Sequence, residues 1–208
     1  MSENSLNKKT LHSKDIAFAA INGAIFGAFL PTVLTNTDAG ITLETLPSIA
    51  LFSISAAIGV AVGYALSKFA RFLFQLAKFG TIGASNTAID IGLLNVLVFL
   101  TGTTSGIFFT LFKTLSFTAA LFNSYFWNKY WSFEKKETKD VKKEFAQFLG
   151  VSLAGAILNV TTAYIVNDVI GPQGNIDPKQ WLNIAAASGS IIVLTWNFLG
   201  YKLFVFKK

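Results

Sequence analysis

Six apolar runs, each close to the length of a bilayer crossing, constrain this chain more than any other feature. They are Ile16–Leu34, Leu46–Leu66, Phe79–Leu100, Ile107–Trp127, Phe145–Val166 and Trp181–Tyr201. A helix rises 1.5 Å per residue, so about 20 apolar residues cross the hydrocarbon. Strands of a membrane barrel need only about 10, in strict alternation. These runs are longer and do not alternate, so the spacing predicts helices. Turn-forming breaks separate several of them: Asn36–Gly40, Thr101–Thr104 and Gly171–Pro178. Composition agrees. Only 13% of the 208 residues are charged and 52% are hydrophobic, against about 25% charged in a soluble domain. The expected fold class is therefore all-α, a polytopic membrane protein with six transmembrane helices.

The basic residues predict how those helices are oriented. Lys8, Lys9 and Lys14 precede the first run. Lys68, Arg71 and Lys78 lie between the second and third. Lys129, Lys135, Lys136, Lys139, Lys142 and Lys143 lie between the fourth and fifth, and Lys202, Lys207 and Lys208 follow the sixth. With six spans all fifteen fall on one side. The other side holds Lys179 together with Asp38, Glu44, Asp168 and Asp177. Both termini are expected in the cytoplasm of a multi-pass cell-membrane protein. The first run is longer than a signal-peptide core and ends in Leu30-Pro31-Thr32-Val33-Leu34 without a small-residue cleavage pattern, so it reads as a retained span.

Several chemistries are excluded. The chain has no cysteine, which removes disulfides and thiolate chemistry. Its one histidine, His12, precedes the first run, so neither a histidine metal site nor a histidine acid–base centre is expected in the core. No cofactor is expected. The sequence pI of 9.5 does not point to nucleic acid, because the basic residues sit beside span ends, where they meet anionic headgroups. The acids Glu134, Glu137, Asp140 and Glu144 alternate with lysines, which reads as a salt-bridged surface helix rather than a carboxylate cluster. No enzymatic role is expected.

The chain divides into residues 1–70, a tail and two helices, and residues 71–208, a four-helix unit with a weak parallel repeat. Ala77-Lys78-Phe79-Gly80 corresponds to Ala146-Gln147-Phe148-Leu149. Lys129-Tyr130-Trp131-Ser132-Phe133 corresponds to Lys202-Leu203-Phe204-Val205-Phe206, and Asp90 to Asn159. Gly23-x-x-x-Gly27 and Gly59-x-x-x-Gly63 suit close backbone approach, either between the first two helices or between subunits. The basic–aromatic segment Lys68–Lys78 fits an interfacial helix or a continuation of its neighbouring spans.

Two ionisable residues fall within the hydrocarbon. Asp90 lies about 17 Å in from the cytoplasmic end of its run. Lys113 lies about 20 Å from the same face on the next run. A salt bridge is reasonable. It either fixes helix register or, with Lys113, meets a polar headgroup drawn inward, since lone intramembrane charges are costly. Asn86 precedes Asp90 by four residues and shares its helical face. Asn95, Ser116, Asn123 and Asn128 add polar groups, which either bond neighbouring helices or line a site. The segment Asn123–Phe133 combines amides, aromatic rings and Lys129. It suits a lipid phosphate at the cytoplasmic leaflet or an ordinary aromatic belt.

The opening Phe79-Gly-Thr-Ile-Gly-Ala-Ser-Asn86-Thr-Ala-Ile-Asp90, the motif Asn123-x-x-x-x-Asn128-Lys129-x-Trp131-x-Phe133 and the closing Lys202-Leu-Phe-Val-Phe206 resemble GtrA-like membrane proteins over roughly residues 72–208. Family members generally have four helices, so residues 1–70 are additional. Tyr201 stands where the second repeat would carry the counterpart of Asn128, which weighs against two symmetric sites. The resemblance implies handling of polyprenyl-phosphate-linked sugars for cell-surface polysaccharide. It implies a substrate site of Asn86, Asp90, Lys113, Asn123, Asn128, Lys129 and Trp131, with Lys113 and Lys129 for the phosphate, the three amides Asn86, Asn123 and Asn128 for hydroxyls or phosphate oxygens, and Asp90 holding Lys113 when no lipid is bound. The leading expectation is a flippase whose headgroup passes through a groove between the third and fourth helices. The alternative is a non-transporting scaffold that anchors a glycosyltransferase partner. The small size is compatible with a homo-oligomer.

Overall fold

The computed structural model describes residues 10–36, 42–102, 106–135, 137, 139–174, 176 and 178–207. Lys8, Lys9, Asp38, Lys136, Asp177 and Lys208, and the side chains of Lys113 and Lys179, lie outside the described residues. All regular structure among the described residues is helical. Each apolar run forms a helix: α1 Ser13–Asn36, α2 Thr45–Leu66, α3 Phe72–Thr101, α4 Gly106–Trp127, α5 Val141–Tyr164 and α6 Pro178–Gly200. Among the described residues three segments, Ser13–Thr35, Thr45–Leu66 and Phe72–Thr101, are long and apolar enough to cross a membrane.

Local chemistry explains the ends. Gly102 closes α3 at φ 68°, its N–H bonded to the Val98 carbonyl, a left-handed cap that a side chain would strain. Asp140 caps α5 by accepting from the Lys143 N–H at 3.0 Å. The predicted surface helix through Glu134–Glu144 is therefore corrected: the helix starts only at Val141, after this cap. Among the basic–aromatic residues 68–78, a turn ends at Arg71 and Phe72–Lys78 form the first turns of α3. That segment continues a long helix and forms no separate interfacial one.

Contacts divide the chain into two compact units, Met1–Glu134 and Lys135–Lys208. In the first unit, α1 and α2 are antiparallel. A Cβ at Gly23 would strike the Phe52 backbone, and one at Gly27 would strike Ser48 and Ile49. The small-residue spacing thus lets two backbones meet. The α2 pair behaves differently: Gly63 faces Ala77 of α3, and a Cβ at Gly59 would meet open space. Helices α1 and α3 run parallel with a seven-residue repeat of contacts. Asp15 meets Lys78, Asn22 meets Ser85, and the Phe29 ring covers Gly92. Ala19, Val60, Phe74, Ile82 and Trp131 form the buried apolar core beside this seam.

The sequence repeat is also a structural one. Helix α4 ends in a π-helical turn, Asn128–Ser132, closed by the Phe133 N–H on the Asn128 carbonyl at 2.8 Å. Helix α6 ends in another, Tyr201–Val205, closed by the Phe206 N–H on the Tyr201 carbonyl at 2.7 Å. In the first unit Phe79 packs on Phe133 with centroids 6.2 Å apart, and in the second the corresponding Phe148 and Phe206 are also 6.2 Å apart. Each turn has a free carbonyl captured by a side chain. Gln75 Nε2 donates to Ser132 O at 3.2 Å, and Lys135 Nζ donates to Val205 O at 3.1 Å. A third π-helical segment, Ile165–Ile170, extends α5.

Candidate functional site

A polar seam runs between α3 and α4. Asn86 and Asp90, one turn apart on α3, face Asn123 and Ser116, two turns apart on α4. Asn123 Nδ2 donates to Asn86 Oδ1 at 2.6 Å, and the Ser116 hydroxyl donates to Asp90 Oδ1 at 2.9 Å. Helices α3 and α4 run antiparallel, which brings these residues together. Ser116 is buried, and the other three are half-buried.

From Asn123 the seam leads, about 7.5 Å further along the helix axis, to the π-turn. Asn128 there is 1% exposed. Its Nδ2 donates to the Ser124 carbonyl at 2.9 Å and lies 3.2 Å from the Ser124 hydroxyl. Its Oδ1 has no hydrogen-bond partner among the described residues. A buried acceptor left empty costs about 1–3 kcal/mol, so this oxygen is a ready position for a hydroxyl or amide donor. Lys129 is buried as well. Its Nζ lies 3.3 Å from the Tyr125 hydroxyl and 5.4 Å from the centroids of both Tyr125 and Tyr130. The aromatic residues around Lys129 thus hold the ammonium against their faces.

Trp131 points the other way, into the first unit's core. Its Nε1–H donates to Asp15 Oδ1 at 3.0 Å. That same oxygen lies 2.7 Å from Lys78 Nζ, and Asp15 Oδ2 accepts from the His12 N–H at 3.0 Å. Lys78 also lies 3.2 Å from Glu134 Oε1 and 4.3 Å from the Phe74 ring centroid. Asp15 and Lys78 are each 1% exposed. Sequence reasoning places Lys78 at a headgroup and gives Asp15 no role. Their common signal is spacing: Asp15 and Asn22, like Lys78 and Ser85, are seven residues apart on one face of an apolar helix.

The structure brings Asn86 to Asn123 and places Asp90 against Ser116. It sets Asn128 and Lys129 at the end of that seam and Trp131 behind them. Position 113 lies in α4, three residues before Ser116, with its side chain outside the described residues. A groove with a volume of about 360 Å³ opens among α1, α2 and α3, bordered by Gly59 and Gly80. A Cβ at either glycine would meet nothing within 4 Å. Paired amides and hydroxyls close the α3–α4 seam, whereas small residues leave the other face open.

These features define an α-helical membrane protein built on a repeated helix pair, each pair ending in a π-turn. Comparison with known proteins is consistent with this class. Residues 78–206 match the family described as GtrA/DPMS, transmembrane domain. The chain is 30% identical over 131 residues to the "Uncharacterized membrane protein YngA" of Bacillus subtilis (strain 168), covering 63% of this chain and 78% of that protein. No solved structure matches it. With more than half its length matched, the chain belongs to the GtrA/DPMS transmembrane-domain family, which associates it with the handling of glycosyl carrier lipids.

Proposed function

We propose that this protein moves a polyprenyl-phosphate-linked sugar across the cell membrane for the synthesis of cell-surface glycans. It crosses the membrane six times with both termini in the cytoplasm, and it is not an enzyme. The topology is supported by the fifteen basic residues on one side against Lys179 on the other, and by the alternating direction of α1–α4. The observation that carries the functional reading is the polar seam between α3 and α4, ending at the unfilled Asn128 acceptor beside Lys129.

In this reading Lys129 meets the phosphate first and Asn128 takes a sugar hydroxyl. Asn123, Asn86 and Asp90 offer successive hydrogen bonds as the headgroup moves inward, and Trp131 backs the turn that aims Lys129. Lys113, one turn from Ser116, receives the phosphate near the middle of the bilayer. The prenyl tail stays in lipid throughout. Polar side chains at this depth are costly unless paired, so the Asn86–Asn123 and Asp90–Ser116 pairs exchange one another for the passing headgroup. In the second pair of helices the corresponding places are Gly155, Trp196, Asn159 and Gly189, which offers far fewer polar groups and leaves the first pair as the path.

The test is translocation of a fluorescent polyprenyl-phosphate sugar in liposomes carrying the purified protein. Wild type is expected to move it, and Asp90→Asn and Lys113→Ala to reduce movement at least about tenfold, a barrier change near 1.4 kcal/mol. Full transport by both variants would remove the site from the account. No transport by wild type, with retention of a glycosyltransferase, would favour the scaffold.

A further inference from the structure

Three donors converge on the Asp15 carboxylate: Lys78 Nζ, Trp131 Nε1–H and the His12 amide, at 2.7, 3.0 and 3.0 Å. Two of them come from α3 and the π-turn, inside the family-matched region, while Asp15 and His12 belong to the added N-terminal segment. We propose that Lys78 and Trp131 form an oxyanion cradle for a monoanionic phosphate diester, and that Asp15 is a tethered anion occupying it in the resting state. This deepens the reading above and rests on it for the choice of a phosphate headgroup.

The chemistry of the cradle selects the charge. An ammonium and an indole N–H aimed at one oxygen are the donors a phosphate oxygen takes. Glu134 lies 3.2 Å from the same ammonium. Lys78 thus faces two negative charges at rest, and a dianion in place of Asp15 would raise that to three. A diester with one charge replaces Asp15 charge for charge, whereas a phosphate dianion does not. Access is also built in. Asp15 sits in the first turn of α1, behind exposed His12, Ser13 and Lys14, and terminal turns are among the first parts of a fold to open, with the lost ion pair replaced by the incoming phosphate. Unwinding that turn withdraws Asp15 and the His12 amide together and leaves Lys78 and Trp131 in place. Trp131 and Lys129 belong to one π-turn but face opposite sides of it, so the cradle is a resting place separate from the seam.

Full-length wild type and Asp15→Asn, in phosphate-free maltoside micelles, are titrated with glycerophosphoglycerol, a soluble monoanionic diester, and with inorganic phosphate. A third arm adds phosphatidylglycerol to the micelles. Binding is read from the Trp131 indole N–H resonance, one of four tryptophans. Removing the tethered anion is expected to tighten diester binding about tenfold, because the competent fraction rises. Inorganic phosphate is expected to bind more weakly than the diester, and Lys78→Gln in the Asp15→Asn background to abolish the gain. A gain confined to phosphatidylglycerol identifies a lipid headgroup as the ligand, and a gain with the soluble diester identifies the free anion. No gain in either arm, a gain that survives Lys78→Gln, or tighter binding of inorganic phosphate overturns the cradle. If Asp15→Asn does not fold, wild type decides: its Trp131 indole resonance must shift as the diester displaces Asp15, and an unmoved resonance at the highest concentration overturns the proposal. None of these readouts needs transport, so an empty cradle leaves the seam untouched and a failed transport assay leaves the cradle untouched.

Discussion

Lys78 is a basic residue between two apolar runs, a pattern that ordinarily puts an amine among headgroups. Here it is buried between two carboxylates and the face of Phe74. Removing one member of a buried ion pair strands the other, at about 3–5 kcal/mol. Lys78→Met is therefore expected to lower the protein's unfolding free energy by about that amount, measured by denaturant titration in detergent. Glu134→Gln, whose carboxylate is 39% exposed, is expected to cost far less, within about 1 kcal/mol. A smaller seam contact gives a second test. The Ser85 hydroxyl donates to Asn22 Oδ1 at 2.6 Å, with both side chains fully buried. Ser85→Ala leaves that oxygen without its donor and is expected to destabilise by about 1–3 kcal/mol. The sequence shows each of these residues but not their pairing. A lone asparagine or lysine in an apolar run reads equally well as a helix-bonded amide or a snorkelling charge. Only the seven-residue spacing, shared by Asp15 and Asn22 with Lys78 and Ser85, distinguishes them.

At the level of elements, the helices are readable because membrane helices are specified by length and apolarity alone. The six runs and the six helices agree to within a few residues at most ends, and the largest difference is α3, which begins at Phe72 rather than Phe79. Helix partners are harder to read, because glycine spacing says that some backbone comes close but not which one. Gly23 and Gly27 meet α2, Gly63 meets α3, and Gly59 borders the open groove. These differences predict unequal substitutions. Gly23→Leu is expected to separate α1 from α2, since its Cβ would overlap the Phe52 carbonyl region. Gly59→Ala is expected to stay within about 1 kcal/mol of wild type, because it adds helix propensity and meets no neighbour. Thermal unfolding of the two variants in one detergent separates these outcomes. The paired π-turns were visible in sequence only as a faint echo, Lys129–Phe133 against Lys202–Phe206. The structure gives the echo a reason: in each turn an aromatic residue of the preceding helix packs on the residue that closes it.

For the whole molecule, the additional α1 and α2 cover the matched domain from its Lys78 end to Gly92. Deleting residues 1–70 removes the partners of Lys78, Trp131, Ser85 and Gly92 at once, so the shortened chain is expected to be unstable or aggregated on size-exclusion chromatography, although it keeps the whole family-matched region. The arrangement of the candidate site's residues is legible to a similar, partial degree. Asn86, Asp90 and Asn123 line up along one seam as their spacing implies, and Asn128 and Lys129 cap it. Trp131 looks from its motif like a residue that meets the ligand, yet its indole bonds Asp15 on a helix more than a hundred residues earlier, a contact no local pattern encodes. Where the carrier lipid's headgroup rests is read from a density map of the protein in nanodiscs with a polyprenyl-phosphate sugar. Phosphate density is expected within hydrogen-bonding reach of Lys129, with a sugar hydroxyl on Asn128 Oδ1. Headgroup density confined to α5 and α6, with the α3–α4 seam unchanged, would contradict this placement.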